Sequence, residues 1–111
     1  MDNKPLINYE DFSQVDLRVA KVATAERVAD SAKLLKLEVI LGEDKRQIIA
    51  GLGKKYEPEI LIGRSVVIVA NLEPRLIMGL ESAGMVLAVD TDSGPTILLP
   101  DQEVAPGSFI H

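Results

Sequence analysis

The apolar residues of this chain come in runs of strand length, and no long stretch repeats them at helical spacing. That property argues against a helical bundle, because a helix needs a sustained apolar stripe at i, i+3, i+4 and i+7 to bury one face. LLKLEVIL (34–41) alternates cleanly, with Leu35, Leu37 and Val39 on one side and Lys36 and Glu38 on the other. Such alternation is the pattern of a strand with one face in a core and one in water. GEDK (42–45) reads as a turn and RQIIA (46–50) as the return, so 34–50 is a hairpin. DLRVAKVATAERV (16–28) is a looser strand, SVVIVA (65–70) and GMVLAV (84–89) are continuous apolar runs, DTDSGP (90–95) is a turn, and TILL (96–99) is a short last strand. Helical character is confined to a turn in YEDFSQ (9–14) and another in YEPEILIG (56–63), where Pro58 suits a first helical position.

Five or six short strands with one short helix between the third and fourth, in 111 residues, predict one all-β domain built as a small closed barrel. The position of the helix matches the five-stranded OB-fold, which binds oligonucleotides and oligosaccharides; an SH3-like barrel shares the strand pattern. Leu35, Leu37, Val39, Val67 and Val69 are expected to face inward. The terminal extensions, 1–15 and 100–111, are not needed by a barrel yet carry Leu6, Ile7, Val104, Phe109 and Ile110. They are expected to cover a symmetric homodimer interface.

Catalytic chemistry has little to build on. The chain has no cysteine, and its only histidine is His111. Ser-His-Asp and Cys-His arrangements are therefore not expected, nor a thiolate or imidazole metal site, nor a cofactor. GLGKK (51–55) lacks the first glycine of a phosphate loop, since position 48 is Ile, and lacks the hydroxyl residue after Lys54. Gly51 and Gly53 are read instead as letting the chain turn out of a strand. DTDSG (90–94) has no downstream Glu at calcium-loop distance and is read as a solvated turn. No apolar run reaches the roughly 18 residues that span a bilayer, and MDNKPLINYEDF is not a signal peptide, so the expectation is a cytoplasmic chain without a membrane partner.

The net charge of −5 argues mildly against a nucleic-acid partner, but its distribution argues the other way. Residues 1–16 carry −3, residues 17–75 carry +3 with eleven Lys and Arg, and residues 76–111 carry −5 with none. The cations are thus confined to the middle of the chain, which a solvated surface with chance asymmetry would also produce.

DFSQVDLRVAKV, SAKLLKLEV, RQIIAGL and VVIVANLEPRLIMGLESAGMVLA occur here in the order and spacing of a known family. From about Tyr9 to the end the chain resembles the tRNA-binding OB domain at the C-terminus of bacterial methionyl-tRNA synthetases, also found as free-standing tRNA-binding proteins and in eukaryotic synthetase cofactors. SAKLLKLEV and NLEPR look most like the methionyl branch. The resemblance implies a non-catalytic homodimeric module. It implies binding of structured tRNA by shape and backbone contacts, raising the tRNA affinity of a methionyl-tRNA synthetase catalytic chain in cis or in trans. A dimerisation or chaperone-like protein-interaction module is the alternative it also allows. A synthetase catalytic core is not expected in these residues, because its paired-histidine motif is impossible with histidine only at position 111.

Carried over position by position, the resemblance implies RNA contacts at Lys33, Asn71, Arg75, Met78, Ser82 and Met85, with Gly79 continuing the motif. Lys33 and Arg75 can neutralise phosphates, Asn71 and Ser82 can bond sugar or backbone, and Met85 can pack on a base or sugar. Each also has an ordinary reading: Asn71 as a turn residue, Ser82 as a local cap, the methionines as core, and the cations as solvated. The chain departs from the family at Glu73, where Lys or a neutral residue is common, at Leu76, where Lys is usual, and at Ala32, where Asp is usual. Those changes imply RNA binding weaker by about one to two orders of magnitude at moderate salt. With only Tyr9, Phe12, Tyr56 and Phe109 as aromatics, structured RNA is the better target than a stacked single strand.

Overall fold

The computed structural model describes residues 3–111. Met1 and Asp2, which belong to the expected 1–15 extension, lie outside the described residues. In chain order the elements are α1 (Tyr9–Ser13), β1 (Leu17–Arg27), β2 (Leu35–Leu41), β3 (Asp44–Ala50), α2 (Pro58–Leu61), β4 (Ser65–Val69), β5 (Arg75–Ile77), β6 (Leu80–Ser82), β7 (Met85–Val86), β8 (Ala88–Thr91), β9 (Gly94–Ile97) and β10 (Phe109–Ile110).

The main sheet runs β3-β2-β1-β4-β7, all antiparallel, with β10 added to β1. β1 is long enough to serve three partners: Leu17–Lys21 pairs with β4, Lys21–Arg27 with β2, and Leu17–Arg18 also with β10. A register shift between Val22 and Thr24 marks where β1 bends to reach both neighbours, the ordinary use of a bulge in a barrel. The result is the expected all-β OB-fold: a strongly curled sheet, with α2 between the third and fourth strands.

Closure is made by side chains as much as by backbone. The Ala83 amide donates to the Gln47 carbonyl at 2.8 Å, and Gln47 Nε2 donates to the Glu81 carbonyl at 2.9 Å. The Ile49 amide donates to Ser82 Oγ at 3.0 Å, so a hydroxyl stands where a ladder carbonyl would otherwise be. Gly84 follows at φ +137, and a Cβ there would lie 3.0 Å from the Val69 carbonyl oxygen and 3.2 Å from Ile48 Cδ1. The strands can approach at this seam only because position 84 carries no side chain.

Leu35, Leu37, Val39, Ile48, Val66 and Ile68 are fully buried inside the barrel. Leu61 of α2 plugs one end, and Pro58 opens that helix as expected. Two inward assignments are corrected. β4 turns Val66 and Ile68 into the core, and Val67 and Val69 lie on its other face, Val67 half-buried and Val69 buried there away from that core. β4 is apolar on both faces, so its pattern could not say which face was inner. A further correction concerns the turns. The first hairpin turns on Gly42 and Glu43 alone, with Leu41 facing Asp44, and the later one on Asp92 and Ser93, with Thr91 facing Gly94.

Candidate nucleic-acid interface

A cleft of about 250 Å³ opens over the closure seam. Lys33 enters it from the β1–β2 loop, Glu73 and Arg75 from the β4–β5 connection and the start of β5, and Met85 from β7. Leu34, Ile49, Leu72 and Ile77 add apolar lining that the motif reading did not single out. Arg75 and Ile77 line the cleft while Leu76, between them, is 73% exposed and does not. That alternation is the strand period: Glu73 shares the cleft with Arg75, and Leu76 does not.

Lys33 and Arg75 are exposed, and neither forms an ion pair among the described residues. By contrast Arg18, Arg27, Lys36, Lys45 and Arg46 each have a carboxylate partner. The stem of Lys33 lies across Gly51, where a Cβ would meet its Cε at 2.9 Å.

Ser82 lines the cleft but is 2% exposed. Its hydroxyl accepts from the Ile49 amide and donates to the Gly84 carbonyl at 3.3 Å, so its one donor and one of its two acceptor sites are used within the barrel. Met85 is about half exposed at the rim. Asn71 and Met78 do not line the cleft. Asn71 instead ties the N-terminal segment to the barrel: its Oδ1 accepts from the Asp16 amide at 2.8 Å and its Nδ2 donates to the Gln14 carbonyl at 2.6 Å. The neighbouring Ala70 amide donates to the Asp16 carbonyl, and Arg46 caps the Ala70 carbonyl. Met78 is exposed at the tip of the β5–β6 hairpin, where Met78 and Gly79 have φ +51 and +80. Two positive φ values in a two-residue loop suit the twist of a hairpin, a demand Gly79 meets freely and Met78 only with strain.

A hollow of about 410 Å³ lies between α1 and β10, and Tyr9, Phe12, Val15 and Phe109, each exposed to 41% or more, line it; Leu6 and Ile7 are exposed as well. Phe109 is held flat under the Arg18 guanidinium, 4.0 Å from its ring centre, while Arg18 bonds Asp16 at 3.0 Å.

A curled antiparallel barrel whose strand-end loops bring unpaired cations to a shallow cleft is an oligonucleotide-binding architecture. The chain belongs to the tRNA-binding domain family, whose model ("Putative tRNA binding domain") matches residues 17–109. It is 54% identical over 108 residues, 97% of its length, to a methionine–tRNA ligase of Methanothrix thermoacetophila, of which it spans 16%. It is similar in structure to a MetRS-related protein of Pyrococcus horikoshii, with TM-score 0.87, 31% identity and coverage of 97% of this chain and 100% of that one. It is also similar to the chaperone CsaA of Bacillus anthracis, with TM-score 0.87, 34% identity and coverage of 96% and 100%. No helix among the described residues is long and apolar enough to cross a membrane.

Proposed function

We propose that residues 1–111 act as one non-catalytic tRNA-binding and dimerising module. It binds structured tRNA through backbone contacts at the cleft, pairs with a second copy through its terminal segments, and raises the tRNA affinity of a methionyl-tRNA synthetase in cis or in trans. Its working place is the cytoplasm. The observation that carries this reading is the meeting of Lys33 and Arg75, from two distant chain segments and without carboxylate partners, in one cleft of a tRNA-binding-family barrel. Both can neutralise phosphates, and Met85 offers an apolar rim beside them. Glu73 in the same cleft keeps the contact count low, so binding of modest strength and shallow salt dependence follows.

Titration of the intact chain with unfractionated tRNA at two salt concentrations, with sedimentation in parallel, tests this reading. Salt-weakened binding by a dimer supports it; absence of binding at low salt overturns it. A chaperone-like module that binds other proteins is the second reading. It is favoured by the exposure of Leu72, Leu76 and Met78 around the cleft and by the chaperone among the structural relatives. Suppression of aggregation of an unfolded client, undiminished by saturating tRNA, would favour it.

A further inference from the structure

The GLGKK segment found no role in the sequence, and the structure changes the reason for its glycines. Neither Gly51 nor Gly53 has a positive φ, so neither is there to let the chain turn. Gly53 is there because another backbone lies against it, whereas Gly51 lies under the Lys33 side chain. A Cβ at Gly53 would sit 2.8 Å from the Lys33 carbonyl oxygen and 2.9 Å from that of Ala32, and the Gly53 amide donates to the Lys33 carbonyl at 2.7 Å. The loop 51–55 is thus laid flush on the β1–β2 loop that carries Lys33. It is also pinned from below: Leu52 is buried, Arg27 Nη1 donates to the Gly53 carbonyl at 3.0 Å, and the Lys55 and Tyr56 amides both return to the Leu52 carbonyl.

This rigid shelf carries two further cations. Lys54 is exposed, with no hydrogen-bond or ion-pair partner among the described residues. Lys55 is half-buried, and its ammonium donates to Ser93 Oγ at 3.0 Å and to Thr96 Oγ1, both on the β8–β9 hairpin. No carboxylate pairs with it, although Asp90 and Asp92 stand on the same hairpin. An ammonium has three donors, and neutral hydroxyls occupy two of them. A partly desolvated cation that holds hydroxyls and no anion retains both charge and a donor for an incoming phosphate oxygen.

We propose that the Gly51–Lys55 shelf is a second phosphate-contact element, in which Lys54 and Lys55, with the Ser93 hydroxyl, hold backbone phosphates of the same RNA beyond the edge of the cleft. This rests on the tRNA reading of the cleft. Lys33, lying over Gly51, is the bridge between the two contact areas.

The test uses the intact chain and unfractionated tRNA, followed by fluorescence anisotropy between about 50 and 200 mM salt. Lys54→Gln and Lys55→Gln are each expected to weaken binding about three- to tenfold at the low end and to flatten the salt slope by about one unit. Ser93→Asp, which sets an acid beside Lys55, is expected to mimic Lys55→Gln. Lys45→Gln, at the far end of β3, is the control expected to match the parent. Should Lys55→Gln lower the melting temperature, Lys54→Gln, which removes no internal contact, decides the matter. Parental affinity and slope in Lys54→Gln and Lys55→Gln, with Arg75→Ala still impaired, would overturn the shelf and leave the cleft standing. Failure of the parent to bind tRNA would remove both.

Discussion

Replacing Ser82 by Ala separates a hydroxyl that holds the barrel together from one that touches RNA. The Ile49 amide donates to Ser82 Oγ at 3.0 Å, and Ile49 itself is only 6% exposed. Without the hydroxyl that buried N–H has no partner, and an unmet buried donor costs about 1–3 kcal/mol. The loss of the 3.3 Å contact to the Gly84 carbonyl adds little, since that oxygen keeps a second lone pair for water. For a domain of this size 1 kcal/mol corresponds to about 4 °C in Tm, so a fall of about 4–12 °C is expected in a calorimetric melt. Hydrogen exchange at the Ile49 amide should accelerate in step, because its local protection depends on that bond. Well below the melt, tRNA affinity should stay within about threefold of the parent and the salt slope unchanged, because a hydroxyl releases no cation. A parental Tm and parental Ile49 protection, together with a tenfold loss of affinity, would refute this reasoning and make Ser82 a contact residue.

Arg75→Ala and Lys33→Ala should each weaken tRNA binding and flatten its salt slope by about one unit in the same titration. Glu73→Lys reverses a charge inside the cleft and should tighten binding and steepen the slope, whereas Leu76→Lys, outside the cleft lining, should act weakly; equal effects would mean that RNA also covers the outer face of the β5–β6 hairpin. Val66→Asp buries an unpaired carboxylate and should cost several kcal/mol in urea unfolding, while Val67→Asp, half-buried, should cost markedly less. Phe12→Ser and Phe109→Ser should shift the parent from dimer to monomer in sedimentation without lowering α2 or core protection; a parent already monomeric at micromolar concentration would refute the terminal interface.

What could be read from sequence depended on whether the relevant partner lay nearby. β2 was legible because one face is wet: Leu35, Leu37 and Val39 alternate with Lys36 and Glu38, and all three apolar residues are fully buried. α2 was legible from Pro58. β4 was not, because its residues are apolar on both faces and the sequence does not alternate. The β5–β6 hairpin was missed because its turn is Met78-Gly79, without the Asn or Asp that usually announces such a loop. β10 is two residues long and exists only by pairing with β1.

The same distinction runs through the candidate site. Lys33, Arg75, Ser82 and Met85 meet as the motifs implied, but nothing local says that Ser82 turns inward to an amide 33 positions away. Asn71 was weighed as a turn residue or a contact; its partners are Asp16 and Gln14, far back in the chain, so it serves as a tether. Gly51 and Gly53 read as hinges and are clearances: Gly53 admits the carbonyls of residues 32 and 33, and Gly51 the Lys33 side chain.

The three partners of β1 also set an order of events. The β2–β3 hairpin closes over two residues and can form as soon as both strands exist, on a microsecond scale. The pairing of Leu17 with Ile110 joins nearly the two ends of the chain and bears the largest loop-closure cost in the molecule. β10 should therefore dock last, after the barrel and its cleft are already formed. Until it does, Phe109 is not under Arg18 and the hollow beside α1 has only one wall. A refolding chain should thus regain the RNA cleft in a concentration-independent phase and acquire its sticky terminal face only afterwards. Under the proposed pairing of copies, association is then a late, second-order step, and half-made barrels are kept from meeting through that surface.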